Sequence, residues 1–193
     1  MSSEPTPVQA EMLRRTAEAL ARRDAATALA LLDQVDAAGA THPAAMARAM
    51  ALRLSGDLAG ALTVMDRALA MQPYDFVALL GKGAVLEQVG RSRTAIDVYR
   101  NAIKIAPPRD RLPPPLVGQL DHAADVVGKH ARALGDFMRA EVEAMRVGID
   151  AAVLDRFDEG LDIYAGLKTA PKQEPLLLNY PRLPAIQIGR AHV

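Results

Sequence analysis

Small and apolar residues recur along the chain with a spacing of 34 residues, counted from residue 42 to residue 76. This spacing aligns residues 42–75 with residues 76–109, and each segment is long enough for two amphipathic helices and a turn. Matching glycines can adopt a positive φ and end the first helix, and matching prolines stop the second. The aligned pairs are Ala49 and Gly83, Gly56 and Gly90, Ala61 and Ala95, Met65 and Tyr99, Ala68 and Ala102, and Pro73 and Pro107. The pattern predicts two consecutive helical hairpins.

Several aligned positions have a predicted role in packing. Ala49 and Gly83 are small, so we expect the two helices of each hairpin to approach closely there. The residues at 65 and 99 are large, and we expect them to fill the space between neighbouring hairpins. The carboxylate of Asp75 is expected to cap the helix that follows it.

The order of these positions resembles the tetratricopeptide repeat. The likeness is best in residues 76–109, which contain Leu79-x2-Lys82-Gly83-x2-Leu86, Ala95-x3-Tyr99 and Pro107. There the two leucines stand where the family usually has Trp and Tyr, and the lysine stands where it has Leu. Residues 1–41 are predicted to be a degenerate capping repeat, with Ala28 and Leu32 copying the Ala-x3-bulky spacing. The resemblance implies an all-α superhelix of tetratricopeptide-type hairpins.

Residues 110–172 are predicted to form a longer helical pair. Apolar residues from Leu116 to Met145 recur every three or four positions, which predicts one long helix that ends near Gly148. A second helix is expected over residues 151–168. Its predicted apolar face consists of Leu154, Phe157, Leu161, Tyr164 and Leu167. The three prolines in residues 173–187 rule out a helix, so an extended C-terminal strap is expected there.

Composition narrows the possible functions. The chain has no Cys, which excludes thiolate metal sites and Cys nucleophiles, and only 4% of its residues are aromatic. Its net charge is zero, which gives no general attraction to nucleic acid or to an anionic membrane. The first residues lack the apolar run of a secretory signal, and no segment is apolar enough to span a membrane. We therefore expect a soluble cytoplasmic protein whose partner is neither nucleic acid nor membrane.

A second resemblance comes from the C-terminal third of the chain. It lies in Arg156-Phe157, Leu161-Asp162-Ile163-Tyr164, Gln173-Glu174-Pro175 and Tyr180-Pro181-x-Leu183-Pro184-Ala185-Ile186. These motifs resemble bacterial proteins in which a tetratricopeptide region precedes an aspartyl/asparaginyl β-hydroxylase domain. The resemblance covers roughly residues 112–187. It implies a parent enzyme that uses Fe(II) and 2-oxoglutarate, with residues 173–187 as the strap that enters its catalytic domain.

The chain as given is expected to hold no catalytic, cofactor-binding or metal-binding residue. In that family the iron-binding histidines and the arginine that binds 2-oxoglutarate would lie beyond the strap. Residues 188–193 read IGRAHV, the translation of a common sequencing adapter, and are predicted to be a non-native tail. His122 and His130 are eight positions apart, about 12 Å along a helix, which is too far for one metal ion. They are assigned to a solvated polar face.

The remaining candidate site is the concave groove that first-helix residues line in tetratricopeptide proteins. The corresponding residues here are Met46, Met50, Arg53, Leu54, Val77, Leu80, Ala84, Glu87 and Gln88. They predict an apolar groove with a mixed polar rim, suited to an amphipathic helix or an extended peptide. The groove could instead hold the protein's own downstream helix or domain. The expected function is a protein-interaction module of a β-hydroxylase truncated near residue 187; the alternative is a free-standing adaptor.

Overall fold

The computed structural model describes residues 7–37 and 41–170, and this part of the chain is helical, with no β-strand. The helices are α1 (Pro7–Ala21), α2 (Ala25–Ala37), α3 (His42–Ser55), α4 (Leu58–Met71), α5 (Phe76–Gln88), α6 (Ser92–Ile105), α7 (Pro114–Val142) and α8 (Ala151–Ala165). Short 3₁₀ turns occupy Arg109–Arg111 and Glu143–Met145. The chain divides into two compact units, residues 1–125 and 126–193, with the boundary inside α7. The strap at 173–187 and the tail at 188–193 lie outside the described residues.

Helices α1 to α6 form three antiparallel pairs. Within the first unit, α1 packs with α2, α3 with α4, and α5 with α6, and neighbouring pairs meet through α2–α3 and α4–α5. The prediction of consecutive helical hairpins is therefore confirmed. The first pair shares a core with α3, in which Ala28 and Leu32 are fully buried with Ala19, Val35, Ala44 and Ala51.

Local signals set the helix ends. The Asp75 carboxylate accepts a hydrogen bond from the Ala78 N–H at 3.0 Å, which caps α5 as expected. Thr41 and Asp57 cap α3 and α4 in the same way. At the end of α3, Gly56 takes a φ of +88°, a left-handed conformation that suits glycine and turns the chain into α4.

A notch at Gly83, where the backbone of α5 carries no side chain, lets α5 and α6 approach closely. Gly83 and Tyr99 are both buried, and a Cβ atom placed on Gly83 would lie 2.2 Å from Tyr99 Cε1. Any side chain at residue 83 would therefore overlap the tyrosine ring. In the α3–α4 pair the same two positions hold Ala49 and Met65, which lie in one buried cluster. Because the methionine is narrower than the ring, alanine is small enough there.

Met65 also joins one hairpin to the next. It packs with Ala49 of α3 and Val85 of α5, and its methyl carbon would lie 3.4 Å from a Cβ placed on Gly81. This position between hairpins is the one the sequence predicts for a bulky residue. Lys82, which departs from the family pattern, contacts Asp66 of α4 at 2.6 Å across the same interface.

The second unit is built from the end of α7 and from α8. Arg139 donates a hydrogen bond of 2.7 Å to Asp162, and Arg146 pairs with Asp158. The predicted long helix ends at Val142 and tightens into a 3₁₀ turn before Gly148. The pair of Arg139 with Asp162 places one polar side of α8 toward α7, and the pair of Arg146 with Asp158 places it toward the segment that follows α7.

The apolar face predicted for α8 is only partly covered. Leu154 and Leu161 are half-buried, whereas Phe157 is exposed and Tyr164 is 77% exposed. Ala165, which the prediction left out, is fully buried. Residues 158, 162 and 165 share one side of the helix. On that side Arg139 of α7 holds residue 162, and Arg146, which follows α7, holds residue 158. Sequence periodicity cannot show which of two adjacent sides meets a neighbour.

The Gly83 notch yields a stability prediction. Gly83→Ala should destabilise the protein by about 1–3 kcal/mol, because its Cβ would overlap the Tyr99 ring. Urea unfolding followed by circular dichroism measures the effect. Gly160→Ala is the matched control: it lies inside α8, its Cβ would meet nothing within 4 Å, and stability should rise by up to about 1 kcal/mol. In a Tyr99→Leu background the cost of Gly83→Ala should shrink, and an unchanged cost would contradict the overlap.

Candidate protein-interaction site

The α3 part of the candidate groove is exposed and apolar. Met50 is 53% exposed and Leu54 is 37% exposed, and the two side chains are one helical turn apart on the same side of α3. Met46 continues this side and is half-buried, and Arg53 lies beside it and is exposed. Exposed methionine and leucine on one helix face form a surface that another chain could cover.

The α5 part of the groove is more varied. Val77 is 45% exposed, whereas Leu80 is only 1% exposed. Ala84 and Glu87 are half-buried, and Gln88 is exposed. The nine predicted groove residues thus lie on two helices, α3 and α5. The exposed apolar side chains among them are on α3 and at the start of α5. Toward the end of α5, other residues cover the predicted surface.

The first turns of α7 lie over the middle and end of α5. They form a pocket of about 260 Å³ together with α5 and α6, all within the first unit. The pocket is lined by Leu80, Ala84, Tyr99, Pro115, Gly118, Gln119 and His122. Leu80 and Ala84 are the two predicted groove residues among them. The chain's own downstream helix therefore occupies one end of the predicted groove and leaves a pocket there.

A hydrogen-bonded group ties α7 to α5 and α6 beside this pocket. The Tyr99 hydroxyl donates to Glu87 Oε2 at 2.6 Å, and His122 Nε2 lies 2.8 Å from the same oxygen. The rings of Tyr99 and His122 meet edge to face, with centroids 6.2 Å apart. One carboxylate oxygen on α5 therefore joins a residue of α6 to a residue of α7.

This group shifts the pKa of two of its members. Partial burial opposes ionisation of Glu87, but the hydrogen bonds from Tyr99 and His122 outweigh it and lower the pKa of the Glu87 carboxyl. Burial raises the pKa of the Tyr99 hydroxyl well above its ordinary value, and its hydrogen bond to the Glu87 carboxylate adds to that shift. Glu87 is thus held ionised and Tyr99 neutral around neutral pH.

Comparison with solved structures identifies the same architecture. The chain is similar to the crystal structure of the Sgt2 TPR domain from Aspergillus fumigatus, with a TM-score of 0.55 and 20% identity over 66% of this chain and 84% of that one. It is also similar to a MamA RS-1 ArsTM double mutant, with a TM-score of 0.53 and 19% identity over 85% of this chain and 97% of that one. The fold is that of a tetratricopeptide-type helical repeat. No family model and no curated protein matches the sequence.

His122 is a site residue that sequence reasoning misses. The sequence assigns it to a solvated polar face, and 57% of its side chain is exposed, but its ring also contacts Glu87 and Tyr99. Glu87 is 35 positions away in the sequence, and no short motif links two residues at that distance. The signal available was the 34-residue period itself, which makes His122 the equivalent of Gln88 in a third first-helix segment.

Residues 7–37 and 41–170 contain neither a cluster of metal ligands nor a membrane-spanning helix. No group of three or more His, Asp or Glu side chains in these residues converges as a metal site. None of the described helices combines the length and the apolar character that crossing a membrane requires.

The lowered pKa of Glu87 predicts a pH effect. A carboxyl whose pKa is lowered by folding stabilises the folded state above its unfolded pKa, and that contribution is lost as the pH falls through the folded pKa. Glu87→Gln should therefore lower the free energy of unfolding at pH 7, measured by urea unfolding, by about 1 kcal/mol for a charged hydrogen bond of a partly exposed side chain. The difference from wild type should shrink as the pH falls below the unfolded pKa of about 4.3 and vanish below the lowered folded pKa. A difference that stays constant as the pH falls through this range would show that the carboxylate charge is not the cause.

Proposed function

We propose that the chain is a protein-interaction module that binds a peptide or helix of a partner protein along α3 and the start of α5. The observation that carries the proposal is the open apolar surface of Met50, Leu54 and Val77, which belong to neighbouring first helices of two repeats. Apolar anchors spaced along a groove are what an amphipathic helix or an extended peptide needs for binding. Arg53 and Gln88, at the rim of this surface, would contact the polar residues that flank the apolar anchors of the partner peptide.

Peptides selected from a random displayed library test this function. Met50→Glu and Leu54→Glu should each weaken the binding of selected peptides by about tenfold or more, because a charge would replace a buried anchor. Met71→Glu is the matched control, since Met71 is a methionine of α4 with 44% exposure that lies outside the proposed surface. Equal loss of binding in all three variants, or in none, would refute the proposed surface.

The parent protein is proposed to be an aspartyl/asparaginyl β-hydroxylase, with this module positioning its catalytic domain or recruiting its protein substrate. The support is the sequence resemblance in residues 156–164 and 173–187. Fe(II) and 2-oxoglutarate would be bound by residues of that catalytic domain, since the carried-over motifs include no iron ligand. The competing proposal is a free-standing adaptor, which has the same interaction surface and no catalytic partner domain.

The source genome separates these two proposals. Under the hydroxylase proposal, the reading frame should continue beyond codon 187 into a β-rich domain that contains histidines, and codons 188–193 should differ from the adapter sequence. The longer protein should then convert 2-oxoglutarate to succinate in an Fe(II)-dependent way in the presence of a peptide substrate. A genomic stop codon close to codon 193 would support the adaptor instead.

A further inference from the structure

The pocket beside α7 exists because α7 stands away from the helices it covers. Neighbouring hairpins of the first unit meet through close backbone contacts, but α7 makes no such extensive contact with α5 or α6. The described contacts that tie α7 to the preceding residues include His122 to Glu87 and Asp121 to Arg109. Polar side chains thus hold the helix at a distance, and an apolar space remains beneath it.

Gly118 lines this space from inside α7. A Cβ placed on it would meet nothing within 4 Å, so α7 supplies no side chain that fills the pocket at this position. The space is therefore open to a side chain from outside the described helices.

The size of the pocket limits what can enter. Its volume of about 260 Å³ is below the ~300–1,000 Å³ of typical cofactor and small-molecule sites. It exceeds the ~150 Å³ of a buried cavity that holds benzene. Leu80 and Ala84 contribute apolar carbon, and the Tyr99 ring contributes an aromatic wall. These dimensions and this lining suit one large apolar side chain.

A carboxylate lies beside the pocket. Tyr99 and His122, which both line the pocket, contact Oε2 of Glu87. The Glu87 side chain is 29% exposed, so the carboxylate is open to solvent next to these two residues. A carboxylate beside an apolar pocket favours a ligand with a cationic group next to the apolar one.

We propose that this pocket binds a large apolar side chain of a partner peptide, and that a Lys or Arg next to that residue pairs with the Glu87 carboxylate. The inference rests on the proposed function, because it assigns a specificity pocket at the far end of the same interaction surface. It adds a sequence preference, an apolar residue adjacent to a basic one, that the open surface of α3 does not define.

Blocked dipeptide amides test the pocket directly. The probes are phenylalanyl-lysine, alanyl-lysine and phenylalanyl-glutamate amides, each N-acetylated and titrated into ¹⁵N-labelled full-length chain. Phenylalanyl-lysine should shift the amide resonances of Leu80, Ala84 and Gln119 in a saturable way. Alanyl-lysine should not, and phenylalanyl-glutamate should bind about twofold to fivefold more weakly, as expected for a partly exposed ion pair. Absence of saturable shifts with phenylalanyl-lysine would overturn the proposal.

Two variants connect the shifts to named residues. Gly118→Leu should fill the pocket and abolish the shifts with little harm to folding, since its Cβ would meet no atom within 4 Å. Gly160→Leu, at an equally open position inside α8, is the matched control and should bind like wild type. Glu87→Gln should keep the phenylalanine-dependent shifts and remove the preference for lysine over glutamate. Undiminished binding to Gly118→Leu would overturn the assignment of the pocket.

The library-selected peptides keep this test separate from that of the proposed function. If Met50→Glu weakens their binding and Gly118→Leu does not, the interaction surface stands and the pocket assignment fails. If neither change weakens it, the interaction surface itself is wrong. If both do, and the selected peptides share an apolar residue beside a basic one, both proposals are supported.

Discussion

The contact between the Tyr99 ring and the bare backbone of Gly83 is the constraint on which the described site depends. Because residue 83 has no side chain, α5 and α6 can enclose the ring between them. That position brings the Tyr99 hydroxyl to Glu87, and Glu87 in turn contacts His122 of α7. A packing requirement in the interior of one hairpin therefore determines where the next helix is held, and where the pocket opens.

The small residues of the interior also explain the apolar surface. With few aromatic residues in the chain, the hairpins pack mainly through alanine and branched aliphatic residues, with single bulky residues such as Met65 between them. Other large apolar side chains, including Met50, Leu54 and Val77, are left outside this core. In an array of helical hairpins, such an uncovered first-helix face is the surface that remains available for a partner.

The helices of the described chain are held together in two physically different ways. The hairpins of α1 to α6 interdigitate side chains across close backbone contacts, which leaves little free volume. By contrast, α7 is joined to α5 by a histidine–carboxylate contact, and α8 is joined by ion pairs to Arg139 of α7 and to Arg146 of the segment that follows α7. A polar contact between two long side chains can hold two helices together without close packing of their backbones. The pocket of the first unit therefore lies where a polar contact holds α7 against α5.

The sequence by itself determined the repeating hairpins, because size and conformational limits at single positions act locally. Glycine at 56, a capping carboxylate at 75 and the small–large pair at 83 and 99 each predict their structural role without knowledge of distant residues. Only the tertiary structure decided which face of α8 is buried, that α7 covers Leu80, and that His122 reaches Glu87. Those outcomes depend on which helices become neighbours and how closely they approach, and the periodicity of one helix carries no information about that distance.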